Sequence, residues 1–320
     1  MMSRVAGAVK AAFSGRNRIR TVVFLLAAAV FVTSAWLLLD DLVFSPRHAQ
    51  SVTVQLRELY HTDTPQELQE ERNDATVYPE GMPSSFRSLY RRNPDVRGWI
   101  TFQTSGGDLF EGAVDNPIVQ GSDNEYYLTH DFFRDKNKAG TLYFDYRNSI
   151  TDDQNVIVYG HNLKSGLMFS HFNRLATGNL SYAKRVTTLT LDTWEGPATY
   201  KVFAVMIVNA NDKEEPLFDY AQTTFAEGEF DTFVREIRTR SLYDFADVDV
   251  QSGDRLLTLS TCSNKRDTQL SDGRTVIVAR RVREGESTQV DTAKTTLNAD
   301  VLMPRQWYVE HKKQMPAAYQ

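Results

Sequence analysis

The stretch Arg255-Leu-Leu-Thr-Leu-Ser-Thr-Cys262 decides how the rest of this sequence is interpreted, because it contains the only cysteine of the chain. Leu256 to Thr261 is a run of aliphatic and β-branched residues, which predicts a buried strand. Ser263-Asn264 follows with residues that favour a turn, so Cys262 is expected at the last position of that strand. A lone cysteine there is either a small core residue or a nucleophile held on a rigid element.

The N-terminal region predicts a membrane anchor. Thr21 to Leu39 contains no charged residue, and about 20 apolar residues are enough for one helical crossing of a bilayer. A cleaved signal peptide is the alternative, but its apolar part would be shorter and would end at small residues. The basic residues of 1–20 have no acidic neighbour. We therefore expect a single crossing, with residues 1–20 in the cytoplasm and the chain after Asp41 outside.

An extracellular location changes the interpretation of the cysteine. Outside the cell, the cysteines of secreted domains commonly pair in disulfides. A single cysteine has no intrachain partner, so it indicates a reactive thiol or an intermolecular link. The membrane prediction therefore favours a functional role for Cys262.

The composition fits an anchored globular protein. The chain has 320 residues, of which 24% are charged and 41% hydrophobic, and its formal net charge is −5. It has no basic cluster typical of a nucleic-acid surface. It also has no His-Glu-x-x-His or paired-cysteine pattern for a metal and no glycine-rich phosphate loop. We therefore expect no metal, no cofactor and no nucleic-acid partner.

Short β-type runs dominate the chain after residue 95 and predict a mainly β fold with helical additions. Eight such runs separated by turn signals are typical of a closed barrel or a sandwich. They are 98–102, 117–120, 141–144, 155–159, 186–191, 199–209, 255–261 and 274–283. The spacing of apolar residues predicts helices at 51–72 (interrupted near Pro65), 83–93, 166–175 and 229–240. The stretch 286–320 shows weak periodicity and allows no assignment.

His161 is the histidine that best matches an acid–base role. It ends the run Val156-Ile-Val-Tyr-Gly-His161, at the end of an apolar strand and directly after a glycine. Rigid strand ends of this kind commonly present catalytic side chains, although a structural role is the alternative. The other histidines lie in the membrane-proximal region, in the tail or beside apolar neighbours: His48, His61, His130, His171 and His311.

A cationic partner is expected beside the cysteine. Arg274 opens the strand-like run that follows Cys262, after a loop containing Ser271-Asp-Gly273. If the two strands pair, the loop brings Arg274 back next to Cys262. Its forked, permanently charged guanidinium suits a developing oxyanion. Lys265 and Arg266 are expected to be solvated loop charges.

These motifs together resemble the sortase family. Leu257-Thr-Leu-Ser-Thr-Cys262 is similar to the family's TLxTC motif, Tyr159-Gly-His161 to its histidine motif, and Arg274 to its arginine. Three further segments resemble class B sortases in particular, namely 93–100, 115–128 and 138–148. The similarity extends from about residue 84 to residue 283.

The resemblance implies a transpeptidase on an eight-stranded β-barrel, with N-terminal helices and a long helix before the seventh strand. It implies that Cys262 attacks a threonyl carbonyl in the sorting motif of a secreted protein, with His161 as general acid and base. Arg274 would hold the substrate and the oxyanion, and Ser260 and Thr261 would contact the substrate. An amine of a peptidoglycan precursor would then resolve the thioacyl enzyme.

The predicted organisation places the enzyme on the outer face of a Gram-positive-type cell. Its parts are a cytoplasmic tail (1–20), a transmembrane anchor in contact with lipid (21–39), an extracellular stalk (40–82), a catalytic domain (83–285) and a C-terminal tail (286–320). The alternatives are a pilin-polymerising sortase, a cysteine peptidase that uses water as acceptor, and a non-catalytic surface module with Cys262 in its core.

Overall fold

The computed structural model describes residues 17–62, 75–104, 114–163, 165–210, 218–262 and 270–319. The chain divides into two compact units, Met1–His48 and Ala49–Gln320. Three predicted features lie outside the described residues: the basic flank before residue 17, the end of the predicted stalk helix after residue 62, and the loop charges Lys265 and Arg266.

The N-terminal unit is dominated by an apolar helix, α1, over Asn17–Leu39. The helical run Arg20–His61 contains an apolar window that is long enough to cross a membrane by length and composition, and none of that window is buried in protein. Its large side chains, such as Phe31 and Trp36, are exposed. A π-helical turn, Asp40–Phe44, follows α1 directly.

The remaining elements alternate short helices with strands. The α-helices are α2 Ser45–His61, α3 Arg87–Arg92, α4 Phe172–Leu175, α5 Leu180–Ala183, α6 Glu229–Arg240 and α7 Arg305–Glu310. The strands are β1 Val96–Thr104, β2 Asp115–Val119, β3 Leu142–Phe144, β4 Asn155–Tyr159, β5 Val186–Thr193, β6 Gly196–Asn209, β7 Tyr243–Phe245, β8 Leu256–Cys262, β9 Gly273–Arg281 and β10 Thr295–Leu297. Short 3-10 turns lie at Ser84–Phe86, Tyr126–Leu128, Thr292–Lys294 and Ala317–Tyr319.

Eight strands close into a barrel in the order β1-β2-β3-β4-β8-β9-β6-β5. The eight predicted β-type runs correspond to these strands. Closure removes the unpaired edges that an open sheet would expose. Alternate residues fill the interior with apolar side chains, including Val158 of β4, Leu257 and Leu259 of β8, and Ile277 of β9. β7 and β10 form a separate two-stranded sheet.

Helix α6 covers one outer face of the barrel. Its Phe233 and Ile237 are buried and pack against Val276 and Val278 of β9. These β9 residues alternate with the interior-facing Ile277, as expected for a strand that is covered on both sides. The helix predicted at 229–240 is confirmed.

Helix α2 packs on another face of the barrel from Ala49 onward. Val52 and Leu56 lie in one buried cluster with Trp99 of β1. The ring of Tyr60 stacks on Trp99 with 4.1 Å between ring centroids. Arg57 Nε donates a hydrogen bond to the carbonyl oxygen of Asp115 at 2.9 Å. Residues 49–61 of the predicted stalk are therefore part of the compact body.

The predicted helix at 166–175 is wrong over most of its length. Only Phe172–Leu175 is helical, because Gly166 and Met168 have positive φ angles of 83° and 55°. Such angles are incompatible with a right-handed helix. Phe169 and Phe172 are nevertheless buried in the barrel interior. The spacing of apolar residues therefore reports burial here and not a continuous helix.

The C-terminal tail folds against the same compact body. β10 pairs with β7 through Thr295 and Phe245. Further along, Met303 is buried against Ile207 of β6 and Leu270. Periodicity allowed no assignment here because the tail is anchored by single contacts and not by a long amphipathic element.

Candidate active site

Three strand ends bring the predicted catalytic residues to one end of the barrel. β4 and β8 are parallel neighbours in which Tyr159 pairs with Ser260, so His161 and Cys262 each lie two residues beyond the same pair. Cys262 pairs with Arg274 in the antiparallel ladder of β8 and β9. The side chain of Cys262 lies outside what the structure describes, and its location is given by its backbone. Cys262 and Arg274 are therefore paired in the sheet, and His161 follows the end of the neighbouring strand β4.

The imidazole of His161 is oriented by a backbone contact. Its Nε2 lies 2.7 Å from the carbonyl oxygen of Leu128. A carbonyl oxygen only accepts hydrogen bonds, so Nε2 must carry the proton in this contact. In the neutral ring, Nδ1 is then the nitrogen that can take up a proton.

Two glycines shape the surroundings of His161. A Cβ atom at Gly160 would lie 2.4 Å from Cδ2 of Leu142 and 2.7 Å from Cδ2 of Phe169, far inside van der Waals contact. Gly140 has a φ of +60°, and a Cβ atom there would lie 3.2 Å from Cδ2 of His161. The glycine before His161 therefore allows Leu142 and Phe169 to pack closely against the backbone at this point.

Tyr159, the last residue of β4, is held by the buried carboxylate of Asp145, which is paired with the half-exposed Arg147. Its hydroxyl donates to Oδ2 of Asp145 at 3.1 Å. Arg147 donates to the same carboxylate from Nε at 2.9 Å and from Nη2 at 2.8 Å. Burial disfavours ionisation of Asp145, but the hydrogen bonds and charge of Arg147 outweigh it and hold the pKa of Asp145 below its usual value. The strand end that leads to His161 is therefore rigid.

The guanidinium of Arg274 is held by Asp272. Nη2 of Arg274 lies 2.9 Å from Oδ1 of Asp272. The backbone N–H of Ala210 donates to the carbonyl oxygen of Asp272 at 2.8 Å, which ties this turn to the end of β6. The Arg274 side chain is 29% exposed, so it is open to solvent on one side. The sequence showed Asp272 only as a turn residue, and its contact with Arg274 was missed.

Ser260 and Thr261 face opposite sides of β8, because side chains alternate along a strand. Thr261 shares the interior side of Leu259, whereas Ser260 lies on the outer side. Both residues are buried. Within the described part of the chain, the Thr261 hydroxyl has no hydrogen-bond partner. As substrate contacts both residues stay predictions.

Tyr220 is a candidate that the sequence did not reveal. Its hydroxyl lies 3.0 Å from Oγ of Ser260. Burial raises the pKa of Tyr220, while the nearby charge of Arg274 acts in the opposite direction. The phenol therefore stays neutral and lies close to both Ser260 and Arg274. No motif marks this tyrosine, which belongs to the irregular segment after β6.

The arrangement matches a known family in sequence and in structure. Residues 111–282 match the family model described as "Sortase domain", which is more than half of the chain. The chain belongs to the sortase family. A relative, sortase B of Listeria monocytogenes, is 30% identical over 268 residues, which is 81% of this chain and 94% of the relative.

Solved structures of class B sortases share the architecture. A mutant form of Clostridium perfringens sortase B has 29% identity and a TM-score of 0.56, covering 72% of this chain and 97% of that chain. A sortase B complexed with a glycine tripeptide has 25% identity and a TM-score of 0.57, covering 75% of this chain and 99% of that chain. The resemblance to class B is therefore confirmed. This sortase is an enzyme of the cysteine transpeptidase type on an eight-stranded barrel.

The other histidines of the sortase make structural contacts. His130 stacks on Tyr126, and its Nδ1 lies 2.8 Å from the carbonyl oxygen of that residue. Burial and the charge of Arg174 lower the pKa of His171, which favours its neutral form. Among the described residues, no group of three or more His, Asp or Glu side chains is arranged to hold a metal ion.

Proposed function

We propose that this sortase cleaves a sorting motif of secreted proteins after threonine, with Cys262 as nucleophile, His161 as general acid and base, and Arg274 as donor to the oxyanion. The observation that carries the proposal is the register of β4, β8 and β9, in which these three residues share one end of the barrel. Acyl transfer through a thiolate needs a proton carrier and an oxyanion donor at one point.

The first half-reaction forms a thioester. The Cys262 thiolate attacks the threonyl carbonyl, and the guanidinium of Arg274 stabilises the charge that develops on its oxygen. The carbon–nitrogen bond then breaks, and the leaving amine takes a proton from His161. Because Nε2 is engaged by Leu128, we assign this proton to Nδ1.

The second half-reaction transfers the acyl group to an amine. The incoming amine attacks the thioester and gives its proton to Nδ1 of His161, and the Cys262 thiolate leaves. One amide bond is exchanged for another, so no redox partner or cofactor is needed. The relative that was solved with a glycine tripeptide supports an amine acceptor. We propose an amino group of a peptidoglycan precursor here, and Ser260 and Thr261 as contacts of the sorting motif.

The same proposal includes a membrane location. Helix α1 is long and apolar enough to support an anchor over residues 21–39 in contact with lipid. From the basic residues of the sequence before it we infer that residues 1–20 lie in the cytoplasm and the catalytic domain (83–285) outside. A membrane-held enzyme meets its secreted substrates as they leave the cell. Of the stretch 40–82 that was predicted as a stalk, residues 49–61 pack on the barrel, and the tail (286–320) completes the proposed organisation.

The test uses the full chain, a library of sorting peptides and a short oligoglycine as amine. Mass spectrometry should detect cleavage after threonine and a product joined to the amine. Cys262→Ala should abolish turnover while circular dichroism shows an intact fold. Cleavage by this variant would rule the mechanism out. A purely hydrolytic product in excess amine would indicate the peptidase alternative, and joining to a protein lysine would indicate pilin polymerisation.

A further inference from the structure

The C-terminal tail of this sortase reaches the barrel end that holds the proposed catalytic residues. Residues 283–320 lie beyond the part of the chain that matches the family model. After β10, the backbone N–H of Leu302 donates to the carbonyl oxygen of Thr239, at the end of α6, at 2.9 Å. The chain then enters α7. The tail therefore packs along the surface of the compact body, from the end of α6 to α7.

Apolar contacts fix α7 next to the start of β9. Leu270 is almost completely buried and lies in one cluster with Met303 and Ile207. Trp307 of α7 packs against the same cluster. The hydroxyl of Tyr319 donates to the carbonyl oxygen of Met303 at 2.9 Å, which closes the tail on itself.

A single oxygen atom of α7 joins two strand ends. Oε1 of Gln306 accepts hydrogen bonds from Nδ2 of Asn209 at 3.0 Å, from the backbone N of Ser271 at 2.9 Å and from Oγ of Ser271 at 3.2 Å. Asn209 is the last residue of β6, and Ser271 belongs to the turn before β9. Asn209 is buried, so loss of the acceptor would leave a buried amide donor without this partner.

The turn that Gln306 contacts leads directly into β9, where Arg274 is the proposed oxyanion donor. Ser271 is followed by Asp272, whose carboxylate binds the guanidinium of Arg274 at 2.9 Å. Arg274 is paired on one side with Val208 of β6 and on the other with Cys262 of β8. A shift of this turn would therefore move the guanidinium relative to the strand that ends in Cys262.

We propose that Gln306 is a positioning residue of this sortase, which fixes the turn at 271–273 and, through Asp272, the direction of the Arg274 guanidinium. The inference rests on the proposed role of Arg274. It assigns a function to the tail: a segment outside the matched sortase domain completes the support of the active site.

The test compares three variants of the full chain with a control. Gln306→Met keeps the length and much of the volume of the side chain but removes the acceptor. Gln306→Glu keeps an oxygen at the same position. Since Gln306 accepts all three of these hydrogen bonds through its oxygen, this variant should keep the wild-type amide exchange and turnover. Ser271→Ala, which removes the 3.2 Å contact from Oγ but keeps the backbone N–H donor, provides a milder variant. Gln314→Met is the matched control, because Gln314 is exposed in the same tail.

The first readout is hydrogen exchange of the Ser271 amide, which donates directly to Gln306. In Gln306→Met this exchange should become at least about tenfold faster, because its acceptor is gone. Gln306→Glu and Gln314→Met should exchange as the wild type does. This measurement needs no substrate.

The second readout is turnover of a sorting peptide per titrated active site. Gln306→Met should lose about tenfold in kcat with KM unchanged, as expected for about one lost hydrogen bond that acts on the transition state. Ser271→Ala should lose less, in the same direction. The inference is overturned if Gln306→Met exchanges or turns over like the wild type, or if Gln306→Glu loses as much. A wild-type chain that cleaves no sorting peptide overturns the proposed function instead.

Discussion

Replacing Glu286 with glutamine should destabilise the barrel, although this residue follows the last barrel strand. The Glu286 carboxylate accepts hydrogen bonds from Nη1 and Nη2 of Arg280 at 2.5 and 2.6 Å. It also accepts one from Nζ of Lys201 at 2.7 Å. The Arg280 side chain is 0% exposed. A glutamine would present an NH2 group to the guanidinium and leave the buried charge poorly compensated.

The size of the effect follows from this burial. Removing one partner of a buried ion pair costs about 3–5 kcal/mol. The lower end applies here, because the carboxylates of Asp249 and Asp254 remain 3.7 and 3.9 Å from Arg280. The Glu286 side chain is also 23% exposed and partly screened by water. We therefore expect Glu286→Gln to lower the free energy of unfolding by about 3 kcal/mol at pH 7.

The effect should depend on pH. The hydrogen bonds from Arg280 outweigh burial and hold the pKa of Glu286 far below its usual value. A carboxyl group with a lowered pKa in the folded state contributes stability above its unfolded pKa of about 4.3 and loses it as the pH falls further. The difference in the free energy of unfolding between wild type and variant should thus be at its full size at pH 7 and should become smaller below about pH 4.

Urea unfolding of residues 49–320, followed by tryptophan fluorescence, measures the difference. Glu284→Gln is the matched control, because Glu284 lies on the surface two residues earlier and its replacement should change the free energy of unfolding by less than about 0.5 kcal/mol. A loss below about 1 kcal/mol for Glu286→Gln, or a loss that does not change with pH, would refute the assigned role of the Arg280 pair.

Three further outcomes are expected. Arg274→Ala should lower kcat by about 10²-fold, the scale for one oxyanion donor, and a near-normal rate in a peptide-cleavage assay would remove this residue from the mechanism. Gly160→Ala should lower the free energy of unfolding by about 1–3 kcal/mol, because the added methyl group overpacks against Leu142, and should lower kcat by displacing His161. Thermal unfolding and turnover measurements together check this prediction, and wild-type values in both would contradict it. A chain starting at Ala49 should keep kcat/KM on soluble peptides but leave the membrane fraction, and loss of activity would show that α1 does more than anchor.

The barrel could be predicted because each of its eight strands carries its own run of β-type residues. β7 (Tyr-Asp-Phe) and β10 (Thr-Thr-Leu) could not, since neither carries a continuous apolar run like the Leu-Tyr-Phe of β3, and these two strands pair with each other. The helix predicted at 166–175 failed for a different reason. Apolar spacing records which residues are buried, and two positive φ angles at Gly166 and Met168 are compatible with the same burial.

Some residues of the candidate site could also be predicted from the sequence, whereas others could not. The convergence of His161, Cys262 and Arg274 at one end of the barrel could be predicted because each lies at or next to the end of a recognisable strand within a motif. Asp272 and Gln306 could not, because their contacts join segments that meet only in the folded chain. Turn and surface positions commonly carry such residues for many reasons, so no local pattern distinguishes a positioning contact from a solvated side chain.

The position of β8 between β4 and β9 has a consequence for the order in which the site forms as the chain emerges during synthesis. The barrel cannot close until residues up to Arg281 have emerged, because β8 must pair with a strand about a hundred residues earlier and with one that follows it. Pairing over such distances is slow to form. A chain that has emerged only just beyond β4 therefore has its proposed acid–base residue but not yet its proposed nucleophile, and it cannot carry out acyl transfer.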